Sequence, residues 1–153
     1  MIELDAASRE LLDDARVAHL ATADQYARPH AIPIVFVWGE GRLYFPLDRK
    51  PKREDDWHAL RRVRNIETNG RVSIVVDRYD DRDWTKLAWV LVEGQATILE
   101  TGTERDTAAT ALAAKYPQYR DGSLERRPVV RVDIERAVHW SAGDAAAEER
   151  GGR

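Results

Sequence analysis

The chain reads as a mainly β domain, an antiparallel sheet closed on itself with helices packed outside. Two observations predict this. The segments run in the order α-β-β-β-α-β-β-α-β, with hairpins in succession and too few helices for alternating βαβ units. Gly94 also sits in the middle of a long apolar strand, where a barrel strand needs a bulge or a sharp bend.

Each element has a local reason. Residues 7–16 read as a helix that Asp5 or Ser8 can cap, with Leu4, Leu11, Leu12 and Ala15 on one stripe. Residues 17–22 read as a strand, 23–27 as a turn, and 28–38 as a second strand with Ile32, Ile34, Phe36 and Trp38 on one face. Pro29 and Pro33 cannot donate to a ladder, so this strand is an edge or is bulged near Pro33. Gly39-Glu40-Gly41 is a hairpin turn, and residues 42–47 return as strand three. Residues 56–68 follow as a helix with a stripe through Leu60, Val63 and Ile66, and Arg61, Arg62 and Arg64 read as lying largely off it. Residues 71–78 alternate as strand four, residues 84–100 form a long strand, residues 104–115 an Ala-rich helix, and residues 129–140 the last strand. Residues 1–141 are thus expected to be one domain, with residues 142–153, which lack core residues, as a disordered tail.

Composition narrows the function. Of the 153 residues, 43% are hydrophobic and 33% charged, enough for a core under a charged surface. A net charge of -3 argues against a nucleic-acid binder. The absence of cysteine excludes thiol nucleophiles, Cys-ligated zinc and iron–sulfur clusters. No apolar run approaches the ~20 residues of a membrane span, and the first residues lack the pattern of a secretory signal. A soluble, cytoplasmic domain is expected, with no nucleic-acid or membrane partner.

Signatures of nucleophile elbows, zincins and P-loops are missing. The four histidines, His19, His30, His58 and His139, do not have metal-ligand spacing, so no metal is expected. Charge is concentrated in one place. Residues 49–64 hold seven cations (Arg49, Lys50, Lys52, Arg53, Arg61, Arg62, Arg64) against three anions. Clustered cations repel unless an anion sits among them, and phosphate suits them. The same run also reads as a solvated basic loop answered by Glu54, Asp55 and Asp56.

The ordered series Arg16-Val-Ala-His-Leu-Ala-Thr-Ala-Asp, Arg28-Pro-His-Ala-Ile-Pro-Ile-Val-Phe, Leu43-Tyr-Phe-Pro-Leu-Asp-Arg-Lys-Pro-Lys-Arg, Leu60-Arg-Arg-Val-Arg-Asn-Ile and Arg71-Val-Ser-Ile-Val-Val-Asp resembles the pyridoxamine 5′-phosphate oxidase-like split-barrel flavoproteins. It is most similar to the branch thought to use the deazaflavin coenzyme F420. The resemblance implies a six-stranded antiparallel split β-barrel of the FMN-binding type, a homodimer, and cofactor sites at the dimer interface. It implies that Lys50 and Lys52, with Arg53 beside them, grip the cofactor phosphate, and that Pro33, Ile34 and Val35 lie against the ring. The reading that follows is an F420-dependent reductase of a small unsaturated molecule. FMN is the alternative cofactor, and a non-catalytic flavin or F420 binder the alternative role. Arg61, Arg62 and Arg64 supply cations beyond one phosphate clamp, as the polyglutamate tail of F420 would use. No catalytic side chain is assigned, because in such a site the ring carries the chemistry.

Overall fold

A computed structural model describes residues 2–48 and 56–151. Strands β1 (Ala18–Ala23), β2 (Pro29–Ile34), β3 (Val37–Gly39), β4 (Arg42–Pro46), β5 (Arg71–Arg78), β6 (Ala88–Leu99) and β7 (Val129–Ser141) form one antiparallel sheet in the order β2-β1-β5-β6-β7-β4-β3. Helices α1 (Ala6–Asp14), α2 (Arg61–Thr68), α3 (Thr103–Lys115) and α4 (Ala142–Gly151) flank it.

The architecture is the split-barrel fold the sequence predicts, with seven strands rather than six, and the sheet is not closed on itself as expected, because β2 and β3 end it as two edges with no ladder between them. The difference lies in the expected strand over residues 28–38, which breaks after Ile34. Its first half pairs with β1 and its second with β4, so the two halves occupy opposite edges of the sheet. Tyr116 makes the break tenable. Its hydroxyl accepts from the Phe36 N–H at 3.1 Å, and its proton lies between the carbonyls of Arg16 at 2.9 Å and Phe36 at 3.1 Å. The N–H and carbonyl of Phe36, which leave the ladder, are thereby satisfied inside the protein.

The core fills the barrel from alternating positions: Leu20, Ile74, Val76, Val90, Val92, Val130 and Val132 on the strands, with Leu11 and Leu12 of α1 and Val63 and Ile66 of α2. Asp5 caps α1, its carboxylate accepting from the Ser8 N–H at 2.7 Å. The turn between β3 and β4 has positive φ at both Glu40 (53°) and Gly41 (74°), as a tight two-residue hairpin requires. The bulge expected at Gly94 is present, with a register shift between Glu93 and Gly94. A Cβ at Gly94 would lie 2.1 Å from the Asp133 carbonyl oxygen, so only glycine lets β6 and β7 approach there.

Two expectations are corrected. Residues 84–100 are not one strand. Trp84–Lys86 is a 3-10 turn, nucleated because the Asp83 carboxylate accepts from the Thr85 N–H at 3.1 Å, and β6 begins at Ala88. Residues 142–151, expected to be disordered, form α4. The Ala142 N–H donates to the Leu87 carbonyl at 2.9 Å, and an alanine-rich segment continues readily from such an anchor.

Candidate functional site

The helix α2 is anchored to the barrel by Asn65, whose side-chain amide donates to the Thr22 hydroxyl of β1 at 2.9 Å. This turns Arg62, Val63, Asn65 and Ile66 inward and leaves Arg61 and Arg64 outside. The reading of all three arginines as off the apolar stripe is therefore wrong for Arg62. It lies one turn before Ile66 and shares its face.

Arg62 enters a cavity of about 290 Å³. One wall is the end of β2, with Ile32, Pro33 and Ile34, continued by Val35 and by Val17 ahead of β1. The other is the end of β4, with Pro46, then Asp48, and Tyr119 from the turn after α3. Pro33, Ile34, Val35 and Arg62, named from the sequence as cofactor contacts, are thus brought together. Lys50, Lys52 and Arg53 lie outside the described residues. The chain enters that stretch directly from Asp48, on the rim of this cavity.

The site's electrostatics centre on Arg62. The residue is 8% exposed, and its Nε has no hydrogen-bond partner among the described residues. Burial lowers the pKa of its guanidinium, with the Asp48 carboxylate pulling the other way. A buried cation only partly compensated is expensive, and an anion in the cavity would relieve it. His30, on β2, is a second unsatisfied group. Its Nδ1 is buried without a partner among the described residues, and burial, Arg61 and Arg62 hold its pKa below the usual 6.5. Tyr119 donates its hydroxyl to Asp48 Oδ2 at 2.9 Å, and burial and that carboxylate push the phenol well above its ordinary range.

Arg61 and Arg64 are not part of this cavity. They line a separate concavity of about 430 Å³ on the outer side of α2, with Tyr26, Arg28 and Thr68. A larger concavity of about 650 Å³ lies on the outer sheet face around Arg71, Ser73 and Glu93. Its Arg136 is already paired with Glu93 at 3.0 Å, and it holds no buried orphan group among the described residues. The Arg62 cavity is therefore the better candidate site.

Sequence reasoning missed Asp48 and Tyr119. Asp48 had a signal, its place at the carboxyl end of a strand just before the basic stretch. Tyr119 had none, since Tyr116-Pro117-Gln118-Tyr119 reads only as the stop of a helix. Among the described residues no three metal-ligating side chains converge, and no helix is long and apolar enough to cross a membrane.

Comparison with known proteins agrees with this architecture. A 5a,11a-dehydrotetracycline/5a,11a-dehydrooxytetracycline reductase of Streptomyces rimosus is 30% identical over 139 residues, covering 88% of this chain and 87% of the reductase. Among solved structures, the conserved hypothetical protein Rv2991 of Mycobacterium tuberculosis aligns with a TM-score of 0.75 at 18% identity, over 95% of this chain and 89% of that one. The heme storage protein HutZ of Vibrio cholerae aligns with a TM-score of 0.69 at 19% identity, over 92% and 95% of the two chains. At these identities the two structures speak for the fold alone. Residues 4–141 match the pyridoxamine 5′-phosphate oxidase family over nearly the whole chain, and the protein belongs to that family.

Proposed function

We propose that the protein is an oxidoreductase that binds a phosphate-bearing flavin or deazaflavin in the Arg62 cavity, F420 first and FMN as the alternative, and reduces a small unsaturated molecule. The observation that carries this is the buried Arg62 guanidinium, without a partner for its Nε among the described residues, in a cavity that Pro33, Ile34 and Val35 also line. A guanidinium in a cavity with an apolar wall is a donor set suited to an anion attached to a ring. A reductase relative matched over 87% of its length supports the class of reaction.

The bound ring would supply hydride transfer. The chain's own part is to bind and orient. Arg62 takes the phosphate together with Lys50, Lys52 and Arg53. Pro33, Ile34 and Val35 give the ring a wall that excludes water. F420 is placed ahead of FMN because Arg61 and Arg64 stand on the outer side of the same helix, where a longer polyanion finds further cations.

A heme reading of the same fold fits these residues less well. The cavity lining has no His, Cys or Met among the described residues, and its Tyr119 hydroxyl is engaged by Asp48. Those side chains are the usual axial ligands of heme iron.

A homodimer fits the outer sheet face. Val75, Leu91, Val138, Trp89 and Trp140 share that side of β5, β6 and β7 through direct pairing, and the two indoles stack with centroids 6.4 Å apart. Val17 and Pro33, on the cavity rim, are exposed, and Pro33 pairs with His19 on the same face. A second copy seated there would close the open side of the cavity.

The test is fluorescence titration of the purified protein with F420 and with FMN. Micromolar or tighter binding of either is expected. Lys50→Ala/Lys52→Ala should weaken it by about 1.5–3 kcal/mol at unchanged thermal stability. No binding of either cofactor overturns the reading, and light scattering at a monomer mass overturns the dimer.

A further inference from the structure

The cavity that holds Arg62 also holds a carboxylate, and phosphate recognition gives no reason for one. Asp48 follows β4, and its backbone is fixed from several sides. The Leu47 N–H donates to the Pro128 carbonyl at 3.0 Å. The Arg127 guanidinium donates to the Leu47 carbonyl at 2.9 Å and reaches the Asp48 carbonyl at 3.4 Å. The side chain is fixed as well, since Oδ2 accepts the Tyr119 hydroxyl at 2.9 Å. Oδ1 accepts no hydrogen bond among the described residues. A carboxylate beside an anion-binding arginine repels the anion unless it does something else for the ligand. What a carboxylate oxygen does well is accept hydrogen bonds from hydroxyl groups.

We propose that Asp48, positioned by Tyr119, accepts hydrogen bonds from the hydroxyl groups of a polyol chain that links a ring at Pro33–Val35 to a phosphate at Arg62. The site would then select a ring-bearing polyol phosphate over a bare phosphate or a ring without its chain. This rests on the cofactor reading above and adds a specificity residue to it. Asp48 contacts the ligand, and Tyr119 acts through Asp48. The arrangement accounts for the carboxylate's cost. The charge that would disfavour free phosphate is offset only when hydroxyl groups arrive with it.

The probes are riboflavin, which carries ring and polyol, lumiflavin, which carries a methyl group in place of the polyol, and FMN. The corresponding deazaflavins, with and without the chain, form a second set. Each is titrated by fluorescence against the full-length wild type, Asp48→Ala and Tyr119→Phe. The wild type should bind the polyol-bearing ring at least about tenfold more tightly than the ring alone, the scale of one charge-assisted hydrogen bond. Asp48→Ala should bring that ratio to about one. Tyr119→Phe, which keeps the packing and loses only the hydroxyl, should lower it by about threefold. A lost fold would show as weaker binding of both ligands and not as a changed ratio. An unchanged ratio in both variants, or a wild-type ratio near one, overturns the proposal. So does tighter FMN binding by Asp48→Ala at an unmoved ratio, since Asp48 is then only a counter-charge to Arg62. If neither the flavins nor the deazaflavins bind the wild type, the cofactor reading fails first and this one with it.

Discussion

Arg62 and Arg105 are both 8% exposed, and the protein treats them in opposite ways. Arg105, on α3, is surrounded by acceptors. Its Nε donates to the Arg127 carbonyl at 2.8 Å, one terminal nitrogen to Asp106 at 2.6 Å, and the other to the Leu124 carbonyl. It ties α3 to the segment leading into β7, beside the small cluster of Ala108, Leu112, Leu124 and Val129. Arg62 has no such enclosure. Its Nε is buried without a partner among the described residues, its pKa is lowered by burial, and it faces a cavity. One buried arginine is satisfied by its own chain and serves the fold. The other is left incomplete, which costs stability unless a ligand completes it.

The largest effect should come from breaking the satisfied member. Arg105→Met removes the guanidinium from the Arg127 and Leu124 carbonyls, leaving Leu124 only the Arg127 N–H at 3.2 Å, and should lower stability by about 2–4 kcal/mol in urea unfolding. Cofactor affinity of the folded variant should stay within about twofold of wild type. The mirror experiment is Arg62→Met. It should weaken binding of the phosphate-bearing cofactor by about 2 kcal/mol in fluorescence titration. Without ligand the variant should be as stable as wild type, or more stable by about 1 kcal/mol, because a desolvated charge is gone. A large stability loss in Arg62→Met with unchanged affinity would make the two arginines alike and remove the basis for the site.

The difference between the two arginines was not visible in the sequence. Strand alternation in Val72, Ile74 and Val76, the Gly94 bulge and the Asp5 cap all depend on local spacing, and each is where periodicity puts it. The break between β2 and β3 depends on Tyr116, some 80 residues away, so a stretch that alternates well reads as one strand. The site shows the same division. Pro33, Ile34 and Val35 were legible through the resemblance, and Arg62 through its charge. That Arg62 points inward while Arg61 and Arg64 point outward follows from the helical angle, 100° per residue, once Val63 and Ile66 fix the buried face. Tyr119 reaches Asp48 across 71 residues, a contact that no local pattern announces.

A smaller effect sharpens the comparison through pH. Burial, and then the charges of Arg61 and Arg62, hold the pKa of His30 below the ordinary 6.5. Between the folded and unfolded values the unfolded chain binds the proton more readily. The contribution of His30 to stability is therefore present above about pH 6.5 and is lost as the pH falls through that value toward the folded one. Urea midpoints at about pH 7.5 and about pH 5.5 measure it. The fall should be shallower in Arg62→Met, which removes one of the causes, and shallower in wild type saturated with a phosphate ligand, which neutralises Arg62. It should be unaltered in a folded Arg105 variant. An identical fall in Arg62→Met would mean that Arg62 does not act on His30.

The smallest effect concerns the arginines on the outer side of α2. Arg61 and Arg64 are exposed in a concavity open to solvent, so salt screens whatever they bind, and each should contribute about 1 kcal/mol or less. Their value is in discrimination. FMN ends at its phosphate, which the inner arginine and the basic stretch after β4 can hold. F420 continues past its phosphate into a chain of carboxylates, which extends the range of cations it can meet. The affinities of F420 and FMN should therefore be compared at low and high salt in wild type and in Arg61→Ala/Arg64→Ala. If the outer arginines serve the tail, F420 shows the steeper salt dependence, and the double variant reduces it while leaving FMN unchanged. Arg62→Met should weaken both cofactors alike, because the phosphate is common to them. Equal salt slopes in wild type, with FMN the tighter ligand, would leave Arg61 and Arg64 as a solvated helix face and make FMN the cofactor of the site.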